Sequence, residues 1–463
     1  FFQAEDGIRV LVRSRGLGDV YKRQLKLARE NNVKFIELWF TDILGQLKSY
    51  AIPVSELEHT IDSGLGFDGS SVNGYARIDE SDMMSVPDID TFQLLPWRPR
   101  PDVALARMFC DIYNPDKTPF EGDPRYILKK NIKKATDLGY TFYVGPELEY
   151  FYFAIDKDTR KPTTRCLDEG GYYDMTLRDA ATELRNETVL ALEEMGIGVD
   201  KSHHEVAASQ HEIDMRYTDA LTMADQVMTY RLVVKEIADR HNVYATFMPK
   251  PLFGINGSGM HVHQSLFKDG KNAFFAKDGI FSLSKIALSY VAGLLKYAPE
   301  FTAVTNQWVN SYKRLVSGYE APVYASWAQR NRTTMLRVPL YRPGNEKATR
   351  VELRCPDPAC NLYLAFAVML AAGLEGIEKK YKLAAPIEPN LYTMAMEERR
   401  RRGVTSLPGN LFEAILETEK SAFVKNTLGE HIFSRFLFNK QKEWEEYRIQ
   451  ITQHEIKKYL PLL

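Results

Sequence analysis

Along the chain, short apolar runs of period two alternate with longer stretches of helical period from residue 24 onward. Residues 33–40 predict a strand, a turn falls at 42–45, and a second strand covers 46–52; a third β segment is expected over 103–112. Residues 113–124, dense in Pro, Asp and Gly, mark a boundary. Beyond it, helical periodicity appears at 126–138, 178–195, 220–241, 282–297 and 361–382, with strand-like runs between at 142–153, 243–249, 258–267, 333–340 and 349–354. This order predicts an α+β protein: residues 24–112 form a small β-rich domain, and 113–463 a large domain whose antiparallel sheet is backed by helices. No internal repeat is visible. Residues 1–23 stand apart. They are rich in Gly and Arg, show no sustained period and lack the apolar run of a secretory signal. Their strings FFQAEDGIR and RGLGDVYKRQ resemble translated sequencing-linker sequence, so this prefix is expected to be non-native or disordered and is excluded from functional reasoning.

Composition narrows the class only a little. The 463 residues allow two or more domains, 44% are hydrophobic and 26% charged, and the formal net charge is -1. That balance predicts no nucleic-acid partner, which needs a basic excess or stripe. The one dense basic cluster, at 399–402, reads as a solvated helix end. No apolar stretch reaches the length of a membrane span. Four cysteines, Cys110, Cys166, Cys355 and Cys360, in so long a chain suggest a reducing, cytoplasmic setting; Cys355 and Cys360, with Pro356 and Pro358 between them and no second pair, read as buried structural thiols rather than a thiolate metal pair.

Candidate chemistry enters where acidic residues break apolar patterning. Glu147 and Glu149 sit two apart in GPELEYFYF (145–153), so both point to one face of a strand. Glu205, Glu212, His261 and Glu352 lie in similar segments. Carboxylates sharing a buried face repel each other and are costly to desolvate, but divalent cations between them reverse both effects. Oxygen-rich sets with an imidazole suit Mg²⁺ or Mn²⁺, which predicts a metal-dependent enzyme handling phosphate. The loop NGSGMHVHQS (256–265) follows Gly254, and its glycines let backbone N–H groups approach a ligand; the strand after it puts His261 and His263 on one face beside Ser265. Arg314 and Glu320 flank a Gly turn, Arg330, Arg332 and Arg337 follow, and Arg350, Glu352 and Arg354 alternate onto one face. Forked guanidinium donors suit carboxylate and phosphate. Each arginine alone could equally belong to a structural ion-pair network; their concentration beside carboxylates favours a binding site.

The motifs GFDGSS (66–71), GPELEYFYF, SHHEVA (202–207), QHEI (210–213), NGSGMHVHQS, NSYKRLVSGYEAP (310–322) and RVELRCPDPACNLYLA (350–365) resemble type I glutamine synthetase, in order, from about residue 24 to the C-terminus. The resemblance implies a β-grasp-like N-terminal domain, a large catalytic domain, and ATP-dependent ligation of ammonium to L-glutamate through γ-glutamyl phosphate. It implies that Glu149, Glu205 and Glu212 hold one Mg²⁺ or Mn²⁺ and that Glu147, His261 and Glu352 hold another. It places Asn256, Gly257, His261, Arg314, Glu320 and Arg354 on glutamate, and His263, Ser265, Arg332, Arg337 and Arg350 on ATP. Arg332 is expected to stabilise the transferring phosphoryl group, Glu320 to belong to a flap that closes over the intermediate, and Asp68 to take a proton from ammonium.

Asp68 bears on which amine is used, since this acid is often changed in relatives that ligate other amines; by itself, Phe-Asp-Gly-Ser-Ser is also a good turn. A catalytically silent scaffold would have lost ligands or arginines, and every expected position is filled. The resemblance further implies two stacked hexamers with active sites between subunits. The segment around Tyr392 resembles the feedback-inhibited rather than the adenylylated branch, with Tyr392 an ordinary surface-loop residue. Arg77 resembles the residue that mediates glutamine inhibition, or it pairs with Asp79 or Glu80.

Overall fold

The computed structural model describes residues 22–72, 82–97, 103–175 and 181–463; Arg77 and the greater part of the 1–23 prefix lie outside them. Two sheets organise the chain. The first contains β1 (Val33–Thr41), β2 (Leu47–Pro53), β3 (Leu65–Asp68), β4 (Asp82–Pro87), β5 (Gln93–Leu94) and β6 (Ala104–Tyr113), in the order β2-β1-β6-β4-β3 with β5 also on β6. β1 lies antiparallel to β2 and parallel to β6. The β1–β2 turn closes because Asp42 accepts from the Gly45 and Gln46 backbone and Gly45 adopts a φ of 79°.

The second sheet has twelve strands: β7 (Thr141–Ile155), β8 (Pro162–Cys166), β9 (Val199–His204), β10 (Gln210–Met215), β11 (Thr218–Asp219), β12 (Val243–Thr246), β13 (Met260–Lys268), β14 (Lys271–Asn272), β15 (Tyr324–Ala328), β16 (Thr334–Arg337), β17 (Val351–Leu353) and β18 (Thr405–Ser406). Its main path runs β18-β15-β16-β17-β13-β7-β10-β9, with the long β7 as spine. All pairings are antiparallel except β15 with β16. The wholly antiparallel expectation fails there because the link 329–333 doubles back, anchored by Asn331, whose amide donates to the carbonyls of Ile387 and Pro389.

On the core side of the sheet, Phe142, Val144, Leu148, Tyr150 and Tyr152 of β7 are fully buried, and Tyr150 meets Tyr230 of the helix Ala220–Arg240. The helix Lys285–Thr305 passes through Pro299 and extends beyond the expected end at 297, because Phe301, Ala303 and Val304 past the proline are all buried. It crosses Leu362–Glu378 so closely that a Cβ on Gly293 would lie 2.0 Å from the Ala372 carbonyl oxygen. Two further helices, Leu411–Glu419 and Ala422–Arg448, complete the packing beyond the last expected element.

The two sheets are joined by buried polar contacts. Asn361, N-cap of the helix Leu362–Glu378, donates to the Asp42 and Ile43 carbonyls at 3.1 and 3.0 Å. A Cβ on Gly45 would stand 2.9 Å from its Cα. Arg125 is buried among three carboxylates, Asp88 and Asp111 from the first unit and Asp225 from the second, at 2.7, 2.6 and 2.9 Å. A buried charge so matched keeps the units in register.

Candidate active site

Strand register assembles the site. Glu147 on β7 stands opposite His261 on β13 and Asp214 on β10; Glu149 stands opposite Glu212, which stands opposite His203 on β9. His263 faces Glu352 on β17, and Glu352 faces Arg337 on β16. Residues directly opposite in adjacent strands point to the same side, so six strands deliver one polar row to the face away from the helices.

That row floors a cavity of about 490 Å³. Glu147, Glu149, Glu205, Glu212, His261, Glu352, Asn256, Gly257, Arg314, Glu320, Arg332, Arg337 and Arg354 all line it. A second chamber of about 370 Å³ shares Glu147 and Lys201 with the first and is lined by His263, Ser265 and Arg350. The residues expected on glutamate thus line one chamber. Those expected on ATP divide: Arg332 and Arg337 in the first, His263, Ser265 and Arg350 in the second. Among the described residues, no lining residue of either chamber comes from the first sheet. Asp68 is exposed at the end of β3, where its carboxylate accepts from Ser70 N, Ser70 Oγ and Ser71 Oγ at 2.9, 2.6 and 2.7 Å. Those bonds from Ser70 and Ser71 hold its pKa below the ordinary aspartate value, so it stays ionised.

Hydrogen bonding fixes each group. Glu149 Oε2 accepts from Gly259 N and Gln210 Nε2, both at 2.9 Å. Arg314 donates to the Cys355, Pro356 and Arg354 carbonyls. Gly259 is required there, since a Cβ would lie 2.4 Å from Arg314 Nη2. Glu147 receives His263 Nε2 at 2.8 Å and His261 Nδ1 at 3.3 Å. Arg350 Nε donates to His263 Nδ1 at 3.1 Å. Glu352 is buried between Arg337 and Arg354 Nε, the latter at 3.5 Å. Asn256 Nδ2 donates to Glu320 at 3.2 Å, linking the Gly-rich loop to the turn bearing Glu320, whose φ is 59°.

The tight ligand clusters differ in two members from the expected triads. His203, Glu205 and Glu212 converge, as do Glu147, His263 and Glu352. His203 Nε2 bridges Glu205 and Glu212 at 3.0 and 3.2 Å because β9 places it beside Glu212. Glu149 and His261 remain in the same cavity, His261 Nδ1 being 3.3 Å from Glu147 and 3.7 Å from Glu352. His203 was absent from the expected set, although its i, i+2 spacing from Glu205 in SHHEVA carried the signal. Tyr392 is also not an ordinary surface-loop residue. It is half-buried, and its hydroxyl donates to the Ala321 carbonyl at 2.8 Å, next to Glu320.

Electrostatics test whether these residues suit a divalent cation. Burial, then repulsion from Glu205, pushes Glu149 up to about 8. Burial, then Asp214 and Glu149, drives Glu212 well above the carboxylate range. Burial acts against the charge of Glu147 as well, yet the bonds from His261 and His263 hold it far below its ordinary value. Such a row is over-supplied with acid unless a cation shares it, and its donors, mostly carboxylate oxygens with imidazole, suit Mg²⁺ or Mn²⁺. The residues fit.

Comparison with known proteins agrees with this geometry. Residues 32–115 match the family model described as glutamine synthetase, beta-Grasp domain, and residues 121–459 that described as glutamine synthetase, catalytic domain. A glutamine synthetase from Methanosarcina mazei is 53% identical over 95% of this chain and 97% of its own. One from Mycolicibacterium smegmatis is 50% identical over 95% and 98%. Among solved structures, GmaS in complex with ADP superposes with a TM-score of 0.84 at 31% identity, covering 94% of this chain and 99% of that one. Plasmodium falciparum glutamine synthetase gives 0.83 at 26%, covering 93% and 96%. Both family models match in chain order, and half of all residues are shared with whole curated enzymes: the chain belongs to the glutamine synthetase family, ligating ammonia to glutamate in an ATP-dependent reaction.

Proposed function

We propose that this synthesis proceeds through γ-glutamyl phosphate in the two-chambered cavity, with glutamate in the first chamber and the nucleotide entering through the second. The carrying observation is the polar row itself: carboxylates and an imidazole from β7, β10, β13, β17 and the turn after β9 in one cavity, faced by Arg314, Arg332, Arg337 and Arg354. Glu149, Glu205 and Glu212 hold one Mg²⁺ or Mn²⁺ and Glu147, His261 and Glu352 a second, with His263 beside the latter. When bound, the cations neutralise charge that develops on the transferring phosphoryl group.

Arg314 and Arg354, with Asn256 and Gly257, orient glutamate so that its γ-carboxylate faces the γ-phosphate of ATP. Attack forms the acyl phosphate and releases ADP. Arg332 stabilises the transferring group, and Arg337, Arg350, His263 and Ser265 hold the nucleotide. Glu320 closes the chamber, which matters because water would hydrolyse the intermediate. Asp68 takes a proton from ammonium, and the ammonia then displaces phosphate to give glutamine.

Since the described lining of the cavity excludes the first sheet, Asp68 is supplied by a neighbouring subunit. The assembly is a closed ring, two hexamers stacked as a dodecamer, with the domain division at 112/113 in each chain. Free cysteines support a cytoplasmic enzyme. The half-buried placement of Tyr392, with its hydroxyl turned inward onto the Ala321 carbonyl, supports the non-adenylylated, feedback-inhibited branch. The test supplies the purified chain with Mg²⁺, ATP and glutamate and measures phosphate. Release should require ammonium; release with methylamine or a polyamine but not with ammonium would transfer the protein to the amine ligases.

A further inference from the structure

Behind the polar row, on the core side of β9 and β10, lies a second cluster that the catalytic assignment leaves unused: Asp168, His204 and His211, all with fully buried side chains. His204 and His211 pair across the strands with rings 4.7 Å apart. Each is the immediate chain neighbour of a carboxylate in the cavity, His204 of Glu205 and His211 of Glu212.

Their donor atoms lie close enough together to suggest a buried metal site. Arg185 argues against it. Its Nη1 lies 2.7 Å from His211 Nδ1, and a guanidinium only donates, so that nitrogen is the acceptor and the ring proton sits on Nε2. Nε2, which faces Asp168 Oδ2 at 3.7 Å, therefore has no lone pair to offer an ion. The cluster is a hydrogen-bonded brace.

The brace ends on the turn that carries Glu205. Asp168 Oδ1 accepts from His204 Nε2 and from Ser209 N, both at 2.8 Å. His204 Nδ1 reaches the Glu205 carbonyl at 2.7 Å. Ser209 has a φ of 58°, which a non-glycine residue adopts only under constraint. It is pinned at each polar atom: its N by Asp168, its Oγ by Leu167 N at 2.6 Å, its carbonyl by Tyr152 N at 3.0 Å. The next residue, Gln210, donates to Glu149. One buried carboxylate thus steadies the Glu205 carbonyl through His204 and fixes the Ser209 amide directly, next to the Gln210 that donates to Glu149.

We propose that Asp168 is a positioning residue for Glu149, Glu205 and Glu212, fixing the turn from which Glu205 projects and from which Gln210 reaches Glu149. The proposal rests on the ligand assignment made above. Partners that orient ligands in this way typically change metal affinity by about 10–100-fold when removed.

The test titrates Mn²⁺ into the metal-free enzyme by electron paramagnetic resonance, with thermal unfolding of the same samples, for Asp168→Ala, Asp168→Asn and Glu212→Gln. Glu212→Gln should abolish one class of sites; unchanged stoichiometry there overturns the ligand assignment, separately from any result at Asp168. Given that control, Asp168→Ala should weaken one site by about 10–100-fold and leave the other within threefold. Asp168→Asn, which keeps an oxygen facing Ser209 N and His204, should recover most of the loss. Wild-type binding in Asp168→Ala overturns the proposal. So does an equal fall at both sites with a lower unfolding temperature in both variants, since that marks a merely structural residue.

Discussion

Glu149 carries the sharpest consequence at the scale of single residues. Its folded acidity, about 8 against an ordinary value of 4.5, means the folded metal-free chain keeps a proton that the unfolded chain has already released. This contribution to stability is intact below about pH 4.5 and is lost as pH rises through about 8. A cation in the cluster must displace that proton. Mn²⁺ affinity at this site should therefore rise about tenfold per pH unit for each proton displaced between pH 6 and 8. Calorimetry in buffers of different ionisation enthalpy reads the proton release directly; Glu149→Gln should remove one proton from the count, and a pH-independent affinity would sink the account. The acids themselves were legible in the sequence, because a glutamate inside Phe-Tyr-Val-Gly-Pro-Glu-Leu-Glu-Tyr breaks an apolar pattern visibly. His203 and Asp168 were not. A histidine beside another histidine breaks nothing, and Asp168 gains meaning only from Ser209, 41 positions away, which folding brings within 2.8 Å.

Elements were read well where one face repeats and poorly where packing decides. β7 stood out because strand-forming aromatic residues extend over a long run, and the helix Ala220–Arg240 because its helical period is sustained over 21 residues. The end of Lys285–Thr305 was misplaced at a proline that burial overrides, and the parallel β15–β16 pair has no signature in local pattern at all. The crossing of Lys285–Thr305 with Leu362–Glu378 depends on bare backbone. Added Cβ atoms at Gly293 and Gly376 would lie 2.0 Å from the Ala372 oxygen and 2.1 Å from the Ser289 oxygen, so the helices would have to part. Gly293→Ala and Gly376→Ala should each cost about 3 kcal/mol despite alanine's better helix propensity, because overpacking outweighs the gain of about 1 kcal/mol. Leu190→Ala, at a position 65% exposed, should stay within about 0.5 kcal/mol. Denaturant unfolding of the metal-free variants distinguishes the two; equal midpoints would show that the crossing has slack.

For the whole molecule, the decisive fact is an omission from the cavity wall. Asp68 has the chemistry for ammonium, yet among the described residues nothing from its sheet lines either chamber, and buried contacts at Arg125, Asn361 and Gly45 hold that sheet in place against the helices. Swinging Asp68 into its own cavity would break those contacts, whereas supply from a neighbouring chain leaves them intact. The two arrangements make different predictions for mixed assemblies. Asp68→Ala leaves a chain with intact metal ligands but no ammonium acid to lend, and Glu212→Gln does the reverse. If the acid crosses between subunits, a site works whenever an Asp68→Ala chain provides the cavity and a Glu212→Gln chain provides Asp68. Random mixing in equal amounts, after dissociation and reassembly, then restores about a quarter of wild-type sites, although each variant alone is impaired. If each chain uses its own Asp68, every chain in the mixture carries a defect, and activity stays at the average of the two variants. Ammonium-dependent phosphate release measured across mixing ratios separates these cases, since only the cross-subunit site yields a maximum near equal proportions.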